Sequence, residues 1–201
     1  MSQFPKEPKK IRARITRYER ELRKELETFG GIHDGYGKRH LLGPLYPLMG
    51  DLTGAVESFE WFEQTFPDDV GEPVHFLCWT LALYRSGEIT EASHKLLQTM
   101  LSNLYLIPHL LGREQDELDI WHGTNYEQKD FLEYVPPEIL ALWDAPALQW
   151  AEDRYDNPEF CRIRARHIEI YEQLKSEPRG LRRSALVEEA FRLGTIKPEQ
   201  Q

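Results

Sequence analysis

Seven histidines are the first residues in this chain that could do chemistry. His33 and His40 lie either side of Asp34 in a glycine-rich stretch, His33-Asp34-Gly35-Tyr36-Gly37-Lys38-Arg39-His40. Two imidazoles and a carboxylate are ligands that zinc accepts, but their spacing matches no ligand pattern such as H-E-x-x-H. The stretch therefore reads as a polar loop feeding the helices that follow. His167 falls on an apolar helical stripe, the setting of a hydrogen-bonded core histidine rather than a ligand. Cys78 and Cys161 have no C-x-x-C spacing, so two buried thiols are expected and neither a zinc site nor a disulfide scaffold. No G-x-S-x-G, Walker loop or G-x-G-x-x-G occurs. The sequence assigns no catalytic residue, no metal and no cofactor, and the chain reads as not an enzyme. An enzymatic alternative would draw on His33, His40 and the aromatic stretch Trp121-His122-Gly123-Thr124-Asn125-Tyr126.

That aromatic stretch has two readings. Aromatic and polar side chains in a loop are common in binding sites. Trp121 can instead fold back to plug the end of the helical body, and this is the favoured expectation. Charge offers a third chemistry. The net charge of -9 argues against general affinity for nucleic acid. Yet residues 1–29 hold nine Lys/Arg against five Asp/Glu, leaving -13 on the remainder, and residues 113–153 hold two basic against eleven acidic side chains. Lys9, Lys10, Arg12, Arg14 and Arg17 could touch RNA or an acidic lipid surface, as could Arg162, Arg164, Arg166, Arg179, Arg182 and Arg183. No aromatic residues interleave either set in the manner of base stacking. The expectation is a solvated face that pairs with the acidic middle of the same chain.

The elements that must position these residues are helical. Ile11, Ile15, Tyr18, Leu22, Leu26 and Phe29 recur at steps of four and three, one stripe of a helix that Gly30-Gly31 ends. Phe76 to Tyr84 is apolar on nearly every side, so a central helix is expected there. Beyond Asn103 comes an acidic loop over 113–125, then helical segments near 126–134, 136–143, 145–155, 158–176 and 183–193, with Pro136-Pro137, Pro146 and Pro158 near their starts. No apolar run is long enough to span a membrane, and the amino terminus lacks the apolar core of a secretory signal, so a cytoplasmic protein is expected.

Leu42-Gly43-x-x-Tyr46, Ala55-x-x-x-Phe59 and Pro67 resemble the tetratricopeptide repeat, with Gly50-Asp51-Leu52 at the turn between the repeat's two helices. A second copy, Ser86-Gly87-Glu88-Ile89-Thr90-Glu91-Ala92, repeats Met49 to Ala55 at an offset of 37 residues. The standard period is about 34, so the connection near Asp68–Glu72 is longer than usual. Arg39 stands where the family has Trp, and Pro44 and Pro47 fall in the first helix, which is expected to kink or to start late. The resemblance covers residues 36–104. It implies an all-α fold, a short α-α superhelix closed by an N-terminal helix (10–35) and a C-terminal helical region (105–195), with tails at 1–9 and 196–201. It further implies a protein-protein interaction module whose first helices line a concave surface, making His40, Leu77, Leu81, Tyr84 and Arg85 the partner-binding candidates. His40 and Pro44 occupy places where chaperone-tail binders carry a carboxylate clamp, which disfavours that role. The partner is an unspecified protein or peptide; nucleic acid is the alternative through the basic helix, no membrane is expected, and a homo-oligomer through residues 11–29 stays open.

Overall fold

Every regular element in the computed structural model is helical, and no strand occurs among the described residues, 4–69 and 71–198. The first helix, α1 (Pro8–Phe29), starts on a proline whose missing N–H costs nothing at that position. It ends at Gly30, whose left-handed backbone lets its N–H return to Leu26 O. Ile11, Ile15, Tyr18 and Leu22 bury its stripe. The segment before it is not a loose tail where it is described: Phe4 is buried in the core. Residues 1–3 and 199–201 lie outside the described residues, as does Val70.

Four helices then fold back and forth: α2 (Lys38–Leu45), α3 (Leu52–Thr65), α4 (Pro73–Ser86) and α5 (Ile89–Ser102). The turns α2–α3 and α4–α5 are built alike. Gly50 and Gly87 both take positive φ, 73° and 83°. The next residue's N–H then reaches back five positions, Asp51 N to Tyr46 O and Glu88 N to Leu83 O. This is the Schellman arrangement, and it satisfies carbonyls that the helix end would otherwise orphan. Asp51 also caps α3 through Gly54 N at 2.9 Å.

Pro44 and Pro47 shorten α2 rather than bending a long helix. Pro44 sits inside α2 and cannot donate to His40 O. His75 supplies the missing bond, its Nδ1–H donating to His40 O at 3.2 Å. Pro47 opens a single 3-10 turn (Pro47–Met49), and Tyr46 N takes over Gly43 O. Helix α2 therefore ends early, and its place in the packing rests on small residues. Gly43, Ala55 and Ala92 are all buried, and the ring of Phe59 lies directly over Gly43.

The C-terminal half closes the array. After α6 (Leu106–Leu110) the chain runs irregularly to 3-10 turns at Asn125–Glu127 and Lys129–Tyr134, then α7 (Pro137–Leu140), α8 (Ala145–Tyr155), α9 (Pro158–Ser176) and α10 (Leu181–Leu193). The helices expected at 126–134 and 136–143 are reduced to two short 3-10 segments and the four-residue α7. Asn103 Nδ2–H takes the carbonyls of Tyr126 and Gln128, at 2.6 and 3.1 Å, which a helix would have used. Pro136 and Pro137 then interrupt the ladder. The last residues are not frayed where described: Gly194 O accepts from His94 and Gln98, and Ile196 packs on the core. Helix α1 packs on α2, α3 on α4, α4 on α5, and α5 on α9. Helix α4 is the centre, buried continuously from His75 to Leu83.

Candidate functional site

The richest polar cluster forms where α2 begins, and its capping residue explains it. Asp34 takes a left-handed φ of 35° and accepts from Lys38 N (2.9 Å) and Arg39 N (2.8 Å), satisfying two free donors of α2. Glu25 of α1 accepts from the backbone N–H of His33 and Asp34 and fixes the approach. The carboxylate of Asp34 is thus occupied by the helix start, and the His33–Asp34–His40 ligand set does not assemble; no group of three metal-binding side chains forms among the described residues.

Arg39 and His40 instead turn to the connection that leads into α4. Arg39 Nε–H donates to Asp69 at 2.6 Å. His40 is bridged, Nε2 to Asp69 at 3.1 Å and Nδ1 to Glu72 at 3.1 Å. Burial opposes its charge, but the hydrogen bond to Glu72 and the charges of Asp69 and Glu72 prevail, and its pKa rises above the usual value. The two acids respond in kind. Burial pushes Asp69 up, yet the Gly71 N–H, His40 and Arg39 hold it low; burial pushes Glu72 up, yet His40 and the Tyr126 hydroxyl hold it low. An imidazole held by both nitrogens between two carboxylates has no free nitrogen for proton transfer or metal ligation. Chemically this is a latch. The Tyr126 hydroxyl donates to Glu72 at 2.9 Å and extends it to the C-terminal half.

Behind the latch stands His75, buried among Phe59, Phe62, Phe76 and Trp79. Because Nδ1–H is committed to His40 O, the proton-free Nε2 is left without a partner among the described residues. Burial lowers its pKa to about 3, so the ring is neutral. Sequence reasoning missed Asp69, Glu72 and His75. The usable signal was the lengthened repeat period, since the extra residues fall in the connection that carries both acids.

The five partner-binding candidates share a neighbourhood but do not line an open groove. Leu77 and Leu81 are buried in the core. Tyr84 stacks on Trp150 of α8 at 4.7 Å and its hydroxyl donates to Pro146 O. Arg85 donates to Leu142 O at 2.6 Å and pairs with Asp144. His40 belongs to the latch. The face that the sequence assigns to a partner is covered by residues 126–150 of the same chain, whose Ile139, Trp143 and Ala147 join its core. The physical reason is that two helical hairpins bury too little of α4, and the C-terminal half completes the burial.

The remaining candidates resolve separately. Trp121 does fold back: its N–H donates to Tyr171 O, its ring meets Tyr171, and Arg183 lies over it at 5.0 Å. His167 is a core residue stacked on Tyr171 at 4.1 Å, but its Nδ1 lacks the expected hydrogen bond among the described residues. Cys78 is buried, whereas Cys161 is half-exposed and is approached by Arg164. The C-terminal arginines are used internally: Arg166 pairs with Glu169 and Glu189, Arg182 with Glu177, and Arg183 donates to Leu174 O and Glu177 O. In the N-terminal basic set, Lys10 pairs with Glu7 and Arg17 with Glu21, acids of the same segment and not of the acidic middle. Of that middle, Glu152 is held by Arg113, Asp119 by Lys175 and Asp144 by Arg85.

No family model, curated protein or solved structure matches this chain. No described helix is long and apolar enough to cross a membrane.

Proposed function

We propose that the chain is a non-catalytic interaction module of tetratricopeptide-like design, an adaptor or complex subunit that holds another protein on the outside of its helical array. Two like-built Gly turns at an offset of 37 residues support the repeat reading. The observation that carries the function is the uncovered end of α1. Its apolar stripe is buried through Leu22 but continues as Leu26 (44% exposed) and Phe29 (67% exposed), beyond the reach of the body. A continuous apolar stripe left bare at one end is a surface that gains from a partner.

The test is capture of a partner by the full chain, followed by the same capture with Leu26→Glu/Phe29→Glu. A loss of about tenfold or more is expected, since desolvated aromatic and aliphatic anchors carry most interface energy. Light scattering of the parent protein reports whether that partner is a second copy. Tyr84→Ala/Arg85→Glu is the contrasting variant. If it abolishes capture at an unchanged melting temperature while Leu26→Glu/Phe29→Glu does not, the inner face is the site and the proposal falls.

A further inference from the structure

The opposite face of α1 is charged, and it carries a row of cations that form no ion pair among the described residues. Lys9, Arg12, Arg20, Arg23 and Lys24 are exposed, and none takes part in an ion pair among the described residues. At 100° per residue these five fall on an arc of about 120°, centred roughly opposite the buried stripe, and they extend over about 22 Å of helix. Glu27 is the acidic residue on that arc; Glu19, at its edge, is occupied by the Tyr46 hydroxyl at 2.6 Å. Past one edge of the arc, beyond Glu21 and Glu25, stands an exposed aromatic ring. Tyr36 is 86% exposed, and Lys38, whose ammonium lies 5.7 Å from its ring centroid, is tied to Glu21 and Glu25 of α1.

We propose that this face of α1, with Tyr36 beside it, binds single-stranded nucleic acid. A row of unpaired cations releases condensed counterions from a polyanion, and an open aromatic ring stacks a base of any identity. Three of the five cations are Arg, whose planar fork suits phosphate oxygens. The alternatives fit less well. No apolar side chain larger than Ala13 lies on the arc to enter a bilayer, and a flat anionic membrane would also meet the -13 carried by residues 30–201. An acidic protein offers exposed ion pairs, which contribute little singly and release no condensed counterions. A strand can follow α1 and avoid the acidic body.

The experiment uses the full chain and fluorescently labelled 20-nucleotide oligo(U) RNA and oligo(dT) DNA, with anisotropy read over a salt series. Five phosphate contacts predict a slope of log K against log salt near about -3.5, or roughly a hundredfold loss between 50 and 200 mM. Arg20→Glu/Arg23→Glu/Lys24→Glu, all exposed and so compatible with an unchanged melting temperature, is expected to remove measurable binding. Tyr36→Ala is expected to weaken binding about tenfold with the slope unchanged, because stacking is not ionic. Equal binding of RNA and DNA, or a preference for either, supports the site and names its source. The proposal is overturned if the parent binds neither oligonucleotide at 50 mM salt, if the triple variant binds as the parent does, or if Tyr36→Ala is silent while phosphatidylserine vesicles bind with the same salt slope.

Discussion

Gly43→Ala tests the close helix approach on which the array depends. A Cβ at Gly43 would stand 2.3 Å from Cε1 of Phe59, 2.7 Å from Cδ1 and 2.9 Å from Cζ. Such contacts require the ring to move, and it has nowhere to go. Phe59 is fully buried, stacked on Trp79 at 5.3 Å and held edge-on by His75 at 4.9 Å. Overpacking a rigid core site costs about 1–3 kcal/mol, and the top of that range applies to a clamped aromatic. Replacing a helical Gly by Ala ordinarily returns about 1 kcal/mol, but the following Pro44 disfavours helical backbone at any residue with a Cβ, so less is regained here. The expected net loss is about 2–3 kcal/mol, or a fall in melting temperature of roughly 4–12 °C for a chain of this size. Calorimetry and urea titration measure it. Phe59→Leu in the Gly43→Ala background should lose less than the sum of the single variants, since the smaller side chain makes room for the new methyl. A Gly43→Ala protein as stable as the parent, or strictly additive losses, would refute the argument that this approach sets the packing.

Acid and alkali should act on different histidines. Burial holds His75 at about 3 and His167 at about 4, both below the unfolded value, so the folded state binds fewer protons. Stability conferred at neutral pH is lost as pH falls below roughly 6.5, with a slope approaching about 2.7 kcal/mol per unit for the two rings together. His167→Phe should halve that slope in urea midpoints between pH 6.5 and 5; an unchanged slope would count against burial as its cause. His40 has the opposite sign: its raised pKa gives stability that is complete below about 6.5 and lost as pH rises through the folded value. His40→Gln should flatten that alkaline loss. Trp121→Ala should destabilise by about 2–3 kcal/mol and speed amide exchange in α10 more than in α4, because Trp121 joins the loop to α9 and α10 rather than to the central helices. Uniform acceleration through α4 would contradict that placement.

Much of the helical framework could be read directly. The stripe from Ile11 to Leu22, the continuously apolar α4 and the Gly turns at 50 and 87 follow from local periodicity and backbone chemistry, which act over a few residues. The candidate site was legible only in part. His40 stood out as a residue, but its partners Asp69 and Glu72 lie 29 and 32 positions away, and nothing local distinguishes them from other surface acids. Leu77, Leu81, Tyr84 and Arg85 were correctly grouped on one helix, while what faces them is set by a segment that begins some forty residues later. Of the cationic row on α1, Lys9 and Arg12 stood out in the sequence, but Arg20, Arg23 and Lys24 did not. Lys10 and Arg17, which stood out with them, pair with Glu7 and Glu21, and which cations form no ion pair among the described residues depends on where the acids come to rest.

The sequence by itself determined that this is an all-helical protein, where its two matched turns fall, and which small residues allow helices to meet. These are consequences of repeat spacing, of the positive φ that glycine tolerates, and of the absence of a side chain at Gly43. Only the tertiary structure decided what covers the inner face of α4, how Pro44 passes the His40 carbonyl to His75, and which cations form no ion pair among the described residues. Those outcomes depend on burial. Two hairpins expose more apolar surface than they can hide, so the C-terminal half is drawn across one face while the far end of α1 and its cationic side stay in water.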